Sequence, residues 1–309
     1  MYIDINIFGI TRRFPDLYYT IKYRLTNGVD IDIVVIDTVV LCGNSLDGEF
    51  YTNLQYLFSS SEKPSGPRNK TAAHDQWRWI EQQLKESKAN YLLVAGHYPL
   101  YSTADHGPTQ CLIDKLKPLL QKYNVTAYLS GHDHNLQTHD VQHLKIDNHG
   151  SKVHQIISGA GAFTTKSERN AKNVPSGSDI FSYPTAKWYN KIFNLGKLGF
   201  STKGGFVTAR MTRYAAEFSF YKGNLDVLHS FSLKSCIDAS CHLDKDVLKF
   251  LVLGDWGGQS AKPYYTKVQK RVADILGQVA TEENTDFQIS VGDNFYPKGV
   301  KREADPRFK

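Results

Sequence analysis

Four short segments place aspartate or histidine directly after a glycine, and these residue types can bind metal ions. The segments are GHYP at 96–99, GHDH at 131–134, GDWG at 254–257 and GDNFY at 292–296. Their carboxylates, imidazoles and phenol are hard oxygen and borderline nitrogen ligands, which suit iron, zinc or manganese better than a thiolate site would. One Gly-Asp or Gly-His pair carries little weight, but four in one chain predict a metal site.

Each segment follows a run of residues typical of a buried β-strand: YLLVA, TAYLS, KFLVL and FQISV. Ligands of α/β proteins bind beyond the carboxyl ends of strands, where a glycine lets the backbone approach closely. We therefore expect the residues after the four glycines to converge in one cleft. They are His97, His132, Asp255 and Asp293. His132 and His134, two residues apart, can face the same side or diverge to serve two adjacent metals.

The elements that carry these residues alternate between apolar runs and amphipathic segments, which indicates an α/β or mixed-sheet architecture. Strands are predicted at 30–41, 91–95, 125–129, 152–158, 248–253 and 286–291, with a meander of short strands at 205–211, 214–221 and 227–233. Helices are predicted at 72–87, 107–123 and 262–280. Long loops are predicted at 42–70 and 163–203.

Composition excludes several classes of protein. The chain has 309 residues, of which 41% are hydrophobic and 22% charged, so disorder is excluded. The net charge of +6 is modest and no dense Lys/Arg tract occurs, so we expect no nucleic-acid partner. No apolar run approaches the ~20 residues of a membrane-spanning helix. The first 14 residues lack the basic lead and apolar core of a signal peptide.

The motifs resemble those of the binuclear metallophosphoesterases, specifically the low-molecular-weight purple acid phosphatases of the tartrate-resistant type. The resemblance extends through LVLGDWGG, SVGDNFYPKGV, VVIDTVVLCGNS, YLLVAGHYPLYSTADHGPTQC, VTAYLSGHDHNLQ and IISGAGAF, and so covers nearly the whole chain. It implies an α/β fold: a sandwich of two mixed β-sheets flanked by helices. It also implies a monomeric enzyme.

By this resemblance, two half-sites of a binuclear centre can be assigned. The residues that match the Fe(III) ligands are Asp255, Asp293, Tyr296 and His134, with Asp293 as the bridging carboxylate. His97 and His132 match ligands of a second, divalent metal (Fe, Zn or Mn). His106 matches a histidine near the phosphate and leaving group, and Cys42 and Cys111 match the disulfide of the family.

The resemblance implies an acid phosphatase that hydrolyses phosphomonoesters by direct attack of a metal-bound hydroxide at an Fe(III)–M(II) centre. The disulfide implies a secreted or lysosomal protein, and Asn69, in an NKT triplet, is a usable glycosylation acceptor. The alternatives are a metal-dependent phosphodiesterase of the same superfamily and an inactive or weakly active secreted remnant. Tyr296 disfavours the phosphodiesterase.

The order of the motifs differs from that of the family. GDWG and GDNFY come first there, whereas here they follow GHYP and GHDH, and the GNHD segment that supplies an Asn ligand does not occur. We therefore expect a permuted and incomplete fold: 1–233 as the C-terminal portion of a phosphatase domain, 234–246 as a linker, and 247–309 as the N-terminal portion, which can complete the same domain. A tandem array, a circular permutation and a faulty gene model each explain this order. Cys236 and Cys241, in the linker, form a local disulfide or remain thiols.

Overall fold

The structure is a computed structural model that describes residues 15–45, 64–141, 153–184, 203–233, 246–257 and 262–294, together with the backbone of 5–7 and 10–12. The described helices are α1 Thr38–Cys42, α2 Lys70–Glu86, α3 Gln110–Lys122 and α4 Lys267–Glu283, with a 3₁₀ turn at Ala171–Asn173. The described strands are β1 Ile5–Ile7, β2 Ile10–Arg12, β3 Tyr19–Arg24, β4 Asp30–Val35, β5 Tyr91–Ala95, β6 Ala127–Ser130, β7 Leu136–Val141, β8 Val153–Ser158, β9 Asp179–Tyr183, β10 Gly205–Met211, β11 Ala216–Lys222, β12 Val227–Leu233, β13 Leu248–Leu253 and β14 Phe287–Ser290.

Two mixed sheets dominate the fold, beside a small β1–β2 pair. The seven-stranded sheet has the order β3-β4-β5-β6-β8-β7-β9, in which β4, β5, β6 and β8 run parallel. The five-stranded sheet has the order β12-β11-β10-β13-β14, with β13 and β14 parallel and the other pairs antiparallel. The predicted pair of mixed sheets flanked by helices is therefore confirmed.

The main hydrophobic core lies between the two sheets. Leu129 and Ile156 of the seven-stranded sheet share one buried cluster with Phe218 and Phe250 of the five-stranded sheet. Strand β11 shows why its sequence suits a sandwich, since its buried and partly exposed residues alternate. Strand β5 is buried along its whole length, as expected for a parallel strand covered on both faces.

Helices cover the outer faces of both sheets. Helix α2 buries Ile80 and Leu84, and α3 buries Leu112, Leu116 and Leu120 at four-residue spacing, against the seven-stranded sheet. Helix α4 packs Val272 and Val279 against the five-stranded sheet. The order of layers is therefore helix, sheet, sheet, helix.

Several predicted boundaries were wrong. The strand predicted at 30–41 ends at Val35, because Asp37 caps a new helix: its Oδ1 accepts from the amides of Val39 and Val40, both at 2.9 Å. The loop predicted at 163–203 contains strand β9, and β3 and β7 were not predicted. Strand β5 and the first and third strands of the meander were predicted with the bounds that the structure shows.

The disulfide between Cys42 and Cys111 is present, with Cα atoms 5.8 Å apart, which confirms the pairing implied by the resemblance. It joins the end of α1 to the start of α3. Among the described residues, no helix is both long and apolar enough to cross a membrane. Tyr296, Cys236 and Cys241 lie outside the described residues.

Candidate metal centre

The carboxyl ends of four strands meet at one edge of the sandwich. Backbone bonds join them: Gly131 N donates to His97 O at 3.0 Å within the seven-stranded sheet, and Asp255 N donates to Gly292 O at 3.1 Å within the five-stranded sheet. Gly254 N donates to Ser158 O at 2.7 Å and so links the two sheets. The residues after the four glycines consequently project into a common space, as the sequence predicted.

Close contacts join the predicted ligands in this space. The Nε2 atom of His97 lies 3.1 Å from His132 Nδ1 and 3.4 Å from Asp293 Oδ1. On the other side, His134 Nε2 lies 3.6 Å from Asp255 Oδ1. The two groups are connected because the backbone amide of His132 donates to Asp255 Oδ2 at 2.6 Å. The structure therefore brings together five of the six predicted ligands, and the sixth, Tyr296, is not described.

The separations of the ligand atoms are compatible with bound metal ions. Donor atoms at ~2.0–2.2 Å from one ion lie roughly 3.0–3.5 Å from each other in octahedral or tetrahedral geometry. The observed 3.1, 3.4 and 3.6 Å distances fall close to that range. Within the part of the chain that the structure describes, His97, Asp255 and Asp293 also form a three-residue group whose ligand atoms lie within 4.8 Å of one another.

His97 is oriented to offer a lone pair to this space. Its Nδ1 lies 2.8 Å from the carbonyl oxygen of Val291, which can only accept, so Nδ1 carries the proton. In the neutral tautomer Nε2 is then the nitrogen with the free lone pair, and it faces Asp293 and His132. A backbone carbonyl that fixes the second ring nitrogen is the usual support of a metal-binding histidine.

The backbone at the site adopts conformations that cost energy. His132, Asp255 and Asp293 have φ values of +70°, +55° and +50°, in the left-handed region that residues with a Cβ rarely occupy. Such positions cost about 1 kcal/mol or more and cluster at functional sites, where surrounding contacts hold them. Each follows one of the four glycines, so the turn that ends the strand also aims the side chain.

Two partly buried histidines of the site have lowered pKa values. Burial lowers the pKa of His132 well below its usual value, and the neighbouring His106 and His97 add to the effect. Burial and His106 lower the pKa of His134 to about 4. Both imidazoles are therefore neutral at mildly acidic pH in the metal-free protein, which is the form that binds metals.

His106 borders the same space. The centroid of its ring lies 4.6 Å from that of His132 and 5.8 Å from that of His134. Its Nδ1 atom is buried and has no hydrogen-bond partner among the described residues. Sequence reasoning did not single out Asp133, which is fully buried and accepts from the amides of Asp105 and His106 at 3.2 and 3.3 Å.

Tyr98 was also missed as a support of the site. Its ring packs against His132, with centroids 4.5 Å apart, and its hydroxyl donates to Gly43 O at 3.1 Å next to the disulfide. Burial raises the pKa of Tyr98, so the hydroxyl stays protonated. The signal in the sequence was its position inside GHYP, one residue after His97.

Comparison with known sequences identifies relatives for this arrangement. Residues 11–136 match the calcineurin-like phosphoesterase family. The chain is 44% identical to tartrate-resistant acid phosphatase type 5 of Oryctolagus cuniculus over 171 residues, 55% of this chain and 47% of that protein. It is 42% identical to the Homo sapiens protein of that name over 56% of this chain and 47% of that protein, and 31% identical to purple acid phosphatase 7 of Arabidopsis thaliana over 57% and 44%.

Solved structures that align with this chain include purple acid phosphatase PPD1 from yellow lupin (Lupinus luteus), with a TM-score of 0.43, 16% identity and coverage of 70% of this chain and 32% of that one. GAP50, the anchor in the inner membrane complex of Plasmodium, has a TM-score of 0.47, 17% identity and coverage of 74% and 57%. The chain spans about half the length of the curated relatives it matches. Its residues 11–136 match the calcineurin-like phosphoesterase family, and about half its length is similar in sequence to the tartrate-resistant and purple acid phosphatases.

Proposed function

We propose that this chain carries the site of an acid phosphatase that hydrolyses phosphomonoesters at a binuclear metal centre. The observation that carries the proposal is the convergence of five predicted ligands, from four strand ends in two sheets, with ligand atoms at metal-binding distances. Sequence relatives that are acid phosphatases support the same reaction.

The contacts support a division into two half-sites. His134 and Asp255, 3.6 Å apart, belong with Asp293 and Tyr296 at an Fe(III) position. His97 and His132, 3.1 Å apart, belong at the divalent position, which takes Fe, Zn or Mn. Asp293, whose Oδ1 lies 3.4 Å from His97 Nε2, would be the carboxylate that the two half-sites share.

These residues would hold a pair of metals, which would neutralise the phosphate charge and lower the pKa of a bound water. The protein residues do the rest. His97, with its Nδ1 proton held by Val291 O, keeps Nε2 available as a ligand. His106, whose ring lies beside those of His132 and His134, would hold or donate a proton at the phosphate or its leaving oxygen.

Residues 1–233 and 247–309 complete this site together, with 234–246 as the linker between them. The hydrogen bonds of β13 to β10 and the bond from the His132 amide to Asp255 support this organisation. Neither segment alone contains all the proposed ligands, since the aspartates and Tyr296 come from the second segment and the histidines from the first.

The Cys42–Cys111 disulfide supports a secreted or lysosomal location, since such bonds persist in oxidising compartments. Asn69 remains a candidate glycosylation site. It lies at the start of α2, where its Oδ1 accepts from Ala72 N at 3.0 Å and its amide nitrogen is the atom that would be modified.

A weakly active or inactive remnant is the second candidate function. The absence of a GNHD segment, which removes one ligand from the divalent half-site, favours it. Both candidates predict that the chain binds iron, and they differ in catalysis.

Visible absorbance and phosphatase activity test the proposal. The chain, loaded with iron, should show a tyrosinate–Fe(III) band that disappears in Tyr296→Phe and should hydrolyse p-nitrophenyl phosphate at acid pH. Tyr23→Phe, at a partly exposed position on β3, is the control that keeps the band. A colourless chain that binds no iron would refute both candidates, and a coloured chain without activity would support the remnant.

A further inference from the structure

The imidazole of His106 is positioned by its backbone. Its Nδ1 has no hydrogen-bond partner among the described residues, so contacts with other rings are the side-chain restraint that the structure shows. The backbone, in contrast, is held firmly: the amides of Asp105 and His106 both donate to the carboxylate of Asp133. Whatever fixes this carboxylate therefore fixes the place of the His106 ring.

A chain of buried side chains fixes that carboxylate. The Ser102 hydroxyl donates to Asp133 Oδ2, and Gln137 Nε2 donates to Ser102 Oγ at 2.7 Å. Asp133, Ser102 and Gln137 are all fully buried, so water does not compete for these bonds.

The donor and acceptor roles in this series of hydrogen bonds are determined at both ends by backbone amides, which can only donate. The amide of Thr103 donates to Gln137 Oε1 at 3.1 Å, so this atom is the oxygen and the NH₂ group must face Ser102. Ser102 Oγ accepts there and from Ala104 N at 3.3 Å, so its proton is directed to Asp133. Each hydrogen-bonding group thus has one possible role.

The far end of the chain lies on a rigid element. Gln137 is on β7, which pairs with β8 and β9 on its two sides. Its Oε1 also accepts from Thr103 Oγ1 at 3.1 Å and from His139 Nε2 at 2.8 Å. The loop that carries His106 is therefore tied to a strand that is paired on both sides.

We propose that Gln137 and Ser102 are positioning residues, which hold Asp133 and, through it, the backbone of His106 at the catalytic face. The part that His106 plays in the reaction rests on the proposed phosphatase function, but its placement does not. The bonds of Gln137 and Ser102 run to Asp133, the 103–104 backbone and His139 rather than to the proposed ligands. They act by giving one loop a single conformation.

The alternative is that these residues only stabilise the fold, and Gln155 provides a matched control. It is also a fully buried glutamine, on the neighbouring strand β8, and its Oε1 accepts from the amides of Leu100 and Tyr101 at 2.7 and 3.0 Å. Its bonds reach the same loop but not Ser102 or Asp133. Gln155→Met and Gln137→Met therefore remove similar bonds to the backbone. Only Gln137→Met interrupts the series of hydrogen bonds that leads through Ser102 and Asp133 to His106.

Histidine-selective NMR of the metal-free chain is the direct test, because it does not depend on activity. The His106 resonance is assigned by its absence in His106→Asn. In Gln137→Met and Ser102→Ala, this resonance should broaden or move toward that of the exposed His74. In Gln155→Met it should keep its wild-type position. Ser102→Ala removes only one hydroxyl and so covers the case in which Gln137→Met does not fold.

An unchanged His106 resonance in both Gln137→Met and Ser102→Ala would overturn the proposal, as would an equal change in Gln155→Met. If the metal-loaded protein hydrolyses phosphomonoesters, Gln137→Met and Ser102→Ala should lower kcat by up to ~10²-fold with little change in KM. The decrease should be larger for alkyl phosphates than for p-nitrophenyl phosphate. If the wild-type protein is inactive but the His106 resonance changes in the variants as expected, only the proposed phosphatase function is refuted.

Discussion

Asp255 contacts two of the candidate histidine ligands, His132 and His134. Its side chain is fully buried, its φ is +55°, and its two carboxylate oxygens face His132 N and His134 Nε2. A neutral amide in its place would bring an NH₂ group against one of these partners and remove a negative charge from the site. The carboxylate therefore holds the local geometry, and at the proposed metal centre it would also supply a charged ligand.

Asp255→Asn should lower iron affinity at least ~100-fold, since loss of even a supporting group costs 10–100-fold. Asp286→Asn is the control: Asp286 Oδ2 accepts from Lys249 N at 2.9 Å, a similar carboxylate–amide bond at the opposite end of β13. Iron content after dialysis measures the difference. Equal iron loss in both variants would show that the effect is structural.

His139 should make folding stability depend on pH. Burial lowers its pKa to about 4, while the nearby Asp179 opposes the shift. The unfolded chain binds the proton near pH 6.5, so the stability contributed by neutral His139 is complete above about 6.5 and is lost as the pH falls toward 4. The expected loss is roughly 2–3 kcal/mol across this window.

His139→Gln should flatten this dependence, because glutamine can still donate to Gln137 Oε1 but does not titrate. Urea unfolding of the metal-free chain at pH 7 and pH 4.5 measures it. His74→Gln, at an exposed position on α2, should leave the slope as in the wild type. If the free energy of unfolding of His139→Gln falls between pH 7 and pH 4.5 as much as that of the wild type, the prediction is wrong.

At the scale of elements, glycine decides how closely the strand ends can approach. A Cβ on Gly131 would lie 2.6 Å from Asp255 Oδ2, far inside van der Waals contact. A Cβ on Gly277, in the middle of α4, would have nothing within 4 Å apart from the backbone of its own helix. A side chain is therefore excluded at Gly131 and can be accommodated at Gly277.

Gly131→Ala should destabilise the chain and reduce iron binding, because the carboxylate of Asp255 must move. Gly277→Ala should stabilise it by about 0.5–1 kcal/mol, since alanine has the higher helix propensity. Thermal unfolding and iron content check both. A stable, iron-binding Gly131→Ala would mean that the strand ends are farther apart than the structure places them.

The disulfide ties α1 to α3 and closes a loop of 69 residues in sequence separation. Replacement of Cys42 and Cys111 by serine should lower the free energy of unfolding by ~2–4 kcal/mol, because the unfolded chain regains the freedom of that loop. Urea unfolding in the presence and absence of reductant measures it. The wild type should lose the same stability on reduction, and the double variant should not respond to reductant.

The sequence predicted those elements whose apolar pattern is continuous or strictly alternating. Strand β5 is buried throughout and was predicted with its observed bounds. Strand β9 was not predicted, because it is an edge strand whose first two residues are exposed and whose pairing with β7 is irregular. Helix α1 was missed because its five residues, TVVLC, are mostly apolar and β-branched, and only the Asp37 cap marks a helix.

The candidate site was predictable in part for a similar reason. Residues after Gly at strand ends are recognisable in sequence, and His97 and Asp255 were found in this way. Ser102 and Gln137 were not, because a buried hydrogen bond depends on which strands become neighbours. Gln137 lies on β7, which follows β8 in space but precedes it in the chain.

At the scale of the whole molecule, the candidate centre needs both sheets. The five-stranded sheet supplies Asp255 and Asp293, and the seven-stranded sheet supplies the three histidines. The two are joined near the site by bonds from Gly254 N to Ser158 O and from Ser158 Oγ to Val252 O, both at 2.7 Å. Packing of the sheets therefore sets the distances between carboxylates and imidazoles.

This division predicts how many metals the chain holds. The proposed Fe(III) half-site keeps all its ligands, with three anionic groups from Asp255, Asp293 and Tyr296, whereas the divalent half-site lacks the neutral ligand of GNHD. Loss of that ligand should weaken the divalent metal more than the ferric ion, which anionic ligands hold electrostatically. If the second candidate function is correct, the isolated chain should bind about one iron, be coloured, and hydrolyse phosphomonoesters poorly. Insertion of a GNHD-containing segment between the halves, arranged in the order of the relatives, should add the second metal and raise activity. Metal analysis with p-nitrophenyl phosphate assays tests both parts. Two tightly held metals and full activity in the unmodified chain would show that another residue replaces the missing ligand.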